Sequence, residues 1–247
     1  MTAAYASPRG TARAGMRAAF GVPMVVLGAS YVGFGSLCRE SGLTLALGLA
    51  STATGWALPG QIALVELYAV GASLLVIALA VALTNARLLP MTMVLMPLLR
   101  HPGTPRWRYY LVAHFVAVTG WAVAMQHCPK LPREQRLPYF AGFAGTLWAA
   151  TLLCTGFGFF LADRVPDTVT LGLVFLNPIY FMLVFAADAR HRERGLALGL
   201  GAASGPLLYL ASPDWGLLLT GLLAGSAAFL ADRLWARRAA RRREDGA

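Results

Sequence analysis

Apolar residues fall along this chain in long blocks rather than with a strand or amphipathic-helix period. Runs with little or no charge cover 18–38, 43–65, 67–86, 88–99, 109–128, 137–162, 168–187, 195–213 and 215–231. A helix needs about 20 apolar residues to cross a bilayer, and most of the runs are long enough. The run 88–99 is not, because as a helix it reaches only about 18 Å. Gly71 and Ser73 offer a turn after Glu66, so one helix is expected over 73–99, with Asn85 and Arg87 near its middle. The pattern predicts an all-α, polytopic integral membrane protein of about eight transmembrane helices. These form a single transmembrane domain over 1–232, followed by a basic tail over 233–247.

Composition supports lipid as the main solvent. Hydrophobic residues make up 57% of the 247 and charged residues 13%, about half the usual share for a soluble protein. Mean hydropathy is +0.60. A soluble fold of this size has too little interior to hide so much apolar surface. Net charge is +10, from 21 basic and 11 acidic residues, with Lys130 as the one lysine. The bases sit between apolar runs and in the tail, so they read as membrane-orienting charge and not as a nucleic-acid surface. With both termini cytoplasmic, the inner segments are the N-terminus (Arg9, Arg13, Arg17), 129–136, 188–194 and the tail. One loop disagrees: Arg100, Arg106 and Arg108 fall outside in an eight-helix count, and a re-entrant 88–99 would bring them back in.

Helix breakers inside spans matter because unwound backbone survives at membrane depth only where it is buried or lines a cavity. Three places stand out. Gly28–Gly35 (GASYVGFG) holds three glycines late in helix one, which either open the backbone or let a neighbouring helix approach closely. Pro59 and Gly60 predict a kink in helix two, with the Gln61 amide next to it. Asn177 precedes Pro178 in the middle of helix six. The fold is therefore expected to carry broken helices 1, 2/3 and 6 around a central site.

Arg87 is the costliest intramembrane charge, unfavourable by about 2.5–3.5 kcal/mol or more at the bilayer centre. It either binds a carboxylate or snorkels from a helix end. Glu66 is a candidate counter-ion or proton carrier. His114 and His127 are not metal-spaced and read as packed or interfacial residues. Cys38, Cys128 and Cys154 form no ligand-spaced cluster and read as packing residues. HExxH, GxSxG and P-loop motifs are absent, so neither a metal nor a cofactor is expected.

Four stretches resemble the AzlC-type branched-chain amino-acid permease family. They are Tyr31-Val32-Gly33-Phe34-Gly35; Ser51 through Trp56-Ala57-Leu58-Pro59-Gly60-Gln61; Asn85-Ala86-Arg87; and Asn177-Pro178-Ile179-Tyr180-Phe181. Leu88 stands where the family often has histidine, and Trp121–Cys128 where it has Thr-Asp-Glu. The resemblance implies export of branched-chain or similar neutral amino acids across the bacterial inner membrane, with a small AzlD-type membrane partner. A zwitterionic solute needs an anion site and acceptors for its ammonium. Amides at Gly28–Gly35, or Arg87, would serve the first, and Gln61, Asn85 and Asn177 the second. Phe34 and Tyr180 would hold an aliphatic side chain, and Glu66 would carry a coupling proton. An intramembrane enzyme or assembly factor with a lipid-like substrate, and a non-transporting subunit, remain as alternatives.

Overall fold

An apolar core in this protein encloses several polar side chains, and many large apolar side chains stand outside. The computed structural model describes residues 7–164, 166–188, 192–211 and 213–244, and every regular element among them is helical. Thr11, Ser30, Thr52, Gln61, Thr119, Thr151, Thr155 and Thr170 are buried. Leu74, Met93, Leu153, Phe157 and Phe160 stand exposed. A water-soluble fold does not expose so many large apolar side chains. The chain divides into two compact units, Met1–Asn177 and Pro178–Ala247.

The first unit is built on α9 (Arg133–Leu161), with α1 (Pro8–Ala19) and α2 (Val22–Glu40) packed along it. Glycines set how close they come. A Cβ on Gly15 would overlap the Tyr139 carbonyl, and one on Gly142 the Ala12 carbonyl. Further along α9, a Cβ on Gly35 would overlap the Thr155 carbonyl and one on Gly158 the Val32 carbonyl. Lipid tails are as apolar as leucine, so helices in membranes associate through this kind of small-residue contact. α2 is therefore continuous through Gly28–Gly35, which corrects the break expected in helix one: its glycines serve close packing. The expected helix also starts differently, because the chain turns at Phe20–Gly21 and α1 is a separate element.

The run 43–65 forms two half-helices, α3 (Leu45–Gly55) and α4 (Leu58–Ala69). Pro59 lies in the first turn of α4, where a missing N–H costs little. It cannot donate to the Gly55 carbonyl and crowds it, so the preceding helix ends there. The chain then doubles back, since Gln61, four residues past Ala57, bonds to Ser51 and Thr52. α5 (Leu74–Asn85) packs against α4, and its last residue, Asn85, lies on Gly60 at the start of α4. α6 (Leu88–Leu99) follows after a 47° bend. Pro90 accounts for the bend: it removes the bond to the Ala86 carbonyl, which instead accepts from the Leu89 amide at 3.1 Å. The bent helix over 73–99 is thus present.

The run 109–128 is also split, into α7 (Arg106–His114) and α8 (Val118–His127), although 115–117 contain neither glycine nor proline. α10 (Asp167–Asp188) is helical through Asn177 and Pro178, so the break expected in helix six is absent. In the second unit, α11 (Arg192–Ala211) and α12 (Pro213–Glu244) pack together, with Gly205 facing Thr220. α12 takes in most of the basic tail. Among the described residues, α2 and α9 are each long and apolar enough to cross a membrane, and α5 with α6 makes a third such segment. Half-helices of 9 to 12 residues reach only about 14–18 Å against a core of about 30 Å.

The glycine packing yields a paired prediction. Gly156 has nothing within 4 Å of a Cβ, whereas Gly158 meets Val32 backbone. Gly156→Ala should leave thermal stability in detergent unchanged or raise it by up to about 1 kcal/mol. Gly158→Ala should lower it by about 1–3 kcal/mol through overpacking. Equal effects would show that α2 and α9 do not rely on this contact.

Candidate functional site

Gln61 is the hub of the first unit's polar interior and is 2% exposed. Its Oε1 accepts from the Tyr31 hydroxyl on α2 at 2.8 Å. Its Nε2 donates to Ser51 Oγ at 3.1 Å and to Thr52 Oγ1 at 3.0 Å, both on α3. Thr52 Oγ1 also lies 3.1 Å from Thr155 Oγ1 on α9. Three helices, α2, α3 and α4, meet through this one amide, and Thr52 links them to α9. Phe34 stacks edge-on to the Tyr31 ring at 6.0 Å between centroids.

The broken ends beside the hub are satisfied unequally. The Ala53 carbonyl, in the last turn of α3, accepts from Trp148 Nε1 at 3.2 Å and lies 2.7 Å from His114 Nε2. A carbonyl only accepts, so that His114 nitrogen carries the proton. Phe115 packs edge-on against Trp148 at 5.5 Å, so the turn after α7 rests on α9 beside the last turn of α3. The N-termini are left open. α4 begins at Ala57 and α8 at Ala117, and neither has a side-chain cap. First-turn amides such as those of Leu58 and Gly60 have no intrahelical acceptor, and they carry the positive end of the helix dipole. Asn85 lies against Gly60 with its Oδ1 buried and without a hydrogen-bond partner. Thr119 Oγ1 and Trp121 Nε1, in the first turns of α8, are also buried and unpartnered.

Of the residues singled out in the sequence, Tyr31, Phe34, Gln61 and Asn85 come together around the α3–α4 break. Gly33 faces Thr170 and Val174 on α10, and Gly35 faces the Thr155 backbone on α9. Arg87 lies at the bend between α5 and α6 and is exposed. Glu66 is exposed near the far end of α4. Among the described residues no ion pair joins Glu66 and Arg87. The side chains of Asn177, Pro178, Tyr180 and Phe181 lie outside the described residues. Sequence reading named Ser51, and with it Thr52, only as part of a family-like stretch, missed Thr119, Trp148 and Thr155, and took His114 for a packed or interfacial residue. Thr151 and Thr155 carried a usable signal, as hydroxyls one turn apart inside an otherwise apolar run.

The hub has a measurable weight. Gln61→Leu leaves the Tyr31 hydroxyl without its acceptor and should lower stability in detergent by about 1–3 kcal/mol. Tyr31→Phe, which strands only one carbonyl oxygen, should have the smaller effect. If thermal unfolding ranks the two the other way, Gln61 is not the hub.

A family model described as AzlC protein matches residues 23–165, more than half of the chain. No curated protein and no solved structure matches. The matched span runs from the start of α2 to just past α9 and takes in both split helix pairs. By that match the chain belongs to the AzlC protein family.

Proposed function

We propose that the protein is a multi-pass transporter of branched-chain or similar small neutral amino acids, exporting them across the bacterial inner membrane with both termini cytoplasmic. The AzlC family is associated with branched-chain amino-acid transport, and the apolar helices fit a membrane protein. The observation that carries the reading is the unpartnered Asn85 Oδ1 beside the uncapped start of α4. A zwitterion needs a buried acceptor for its ammonium and free donors for its carboxylate. Asn85 Oδ1 supplies the first, and the first-turn amides of α4, with Arg87 close by, supply the second. The Tyr31 ring, held by Gln61, and the Phe34 ring packed edge-on to it would face an aliphatic side chain.

Gln61 spends its own polar atoms on the protein, so its part is positioning. Asn177 and Pro178 on α10 stay in the proposal as a further contact region. Glu66 keeps a proposed part in proton coupling from its exposed place on α4. A small AzlD-type membrane subunit acts with the chain in this proposal.

Counterflow of labelled leucine in proteoliposomes, with and without such a subunit, tests the reading. Asn85→Leu should raise the KM for leucine at least tenfold or abolish counterflow while membrane insertion and thermal stability hold. Arg87→Ala should weaken leucine uptake in the same assay, and unchanged transport would remove Arg87 from the site. Absence of counterflow for any neutral amino acid, with the subunit present, would turn the reading toward a non-transporting subunit.

A further inference from the structure

We propose that α3–α4 and α7–α8 are re-entrant hairpins that enter from opposite faces of the membrane and meet tip to tip near mid-depth. α9, which is long enough to cross the bilayer, serves as a ruler. At its start, Arg136 Nη1 donates to the Leu98 carbonyl at 3.3 Å and its Nε to the Leu131 carbonyl at 3.0 Å. One guanidinium thus holds the end of α6 beside the segment that follows α8. The chain between them, 99–130, leaves this face and returns to it.

Its depth can be followed along α9. Phe115 packs on Trp148 near the middle of α9, Gly120 faces Phe140, and His127 stacks on Tyr139 at 6.3 Å. α8 therefore runs back toward the start of α9, the face from which α7 entered.

The other hairpin enters from the far end. α2 reaches that end with Arg39 over the Phe159 ring, and α3 begins four residues after α2 stops. Thr52 meets Thr155 and Ala53 meets Trp148, so α3 descends to the middle of α9. Gln61 then reaches back to Ser51 and Thr52, and α4 ascends. α5 descends beside α4 until Asn85 lies on Gly60, and α6 continues across with its 47° bend to Arg136. The tips touch where His114 Nε2–H donates to the Ala53 carbonyl.

This arrangement removes the charge anomaly of the sequence. Arg100, Arg106 and Arg108 move to the face that holds Lys130, Arg133 and Arg136, where arginines and lysines belong if that face is cytoplasmic. α1, with Arg9, Arg13 and Arg17, packs on the same third of α9.

Thiol labelling separates the alternatives. In full-length protein with Cys38, Cys128 and Cys154 replaced by alanine, single cysteines are placed as Ser41→Cys, Val70→Cys, Pro102→Cys and Lys130→Cys. A membrane-impermeant maleimide is added outside intact cells. Re-entrant hairpins predict labelling at 41 and 70, and at 102 and 130 only after the cells are opened. Eight full crossings predict the reverse at 70 and 102, with 41 and 130 unchanged. Labelling of 102 from outside with 70 protected would overturn the proposal. Ala72→Cys and Thr104→Cys give the same readout if either neighbouring variant fails to accumulate.

Discussion

A backbone that leaves the helix inside a bilayer has no water to bond, and this protein's interior is organised around that constraint. Ending α3 at Gly55 exposes carbonyls at the level of the middle of α9. His114 and Trp148 supply donors to Ala53, and Gln61 ties the returning chain to Ser51 and Thr52. Without these bonds the broken ends would cost several kcal/mol for each stranded polar group. The polar core is therefore first a structural necessity. Asn85 Oδ1, Thr119 Oγ1 and Trp121 Nε1 are buried there without a hydrogen-bond partner.

The division of labour among the glycines follows from the same logic. Gly15, Gly35, Gly142 and Gly158 let the backbones of α1, α2 and α9 come together. Gly60 instead makes room for the Asn85 amide, since a Cβ there would sit 2.5 Å from Oδ1. One residue type thus serves both the rigid wall and the site beside it.

Much of this was legible in the sequence, and the failures have physical causes. Pro59 next to Gln61 marked the break correctly, because proline disrupts the helix four residues upstream whatever surrounds it. The helix over 73–99 followed from a length that 88–99 could not meet alone. Gly28–Gly35 misled because glycines that open a backbone and glycines that admit a neighbour read alike. The split at 115–117 left no local mark: Phe115-Val116-Ala117 is ordinary helix sequence, and only contacts with Trp148 and Ala53, distant along the chain, hold it open. Hydropathy reports only that a run is apolar. Among the described residues two helices and one bent pair are long and apolar enough to cross a membrane, against the eight spans expected.

If solute moves past the meeting point of α3 and α7, holding their tips together must stop it. Ala53→Cys and His114→Cys in one cysteine-free chain, joined by a short bifunctional thiol reagent, make that measurement in proteoliposomes. Leucine counterflow should fall to background on cross-linking and return with a cleavable reagent once it is cut. Full cross-linking with undiminished counterflow would contradict a solute path between the two tips.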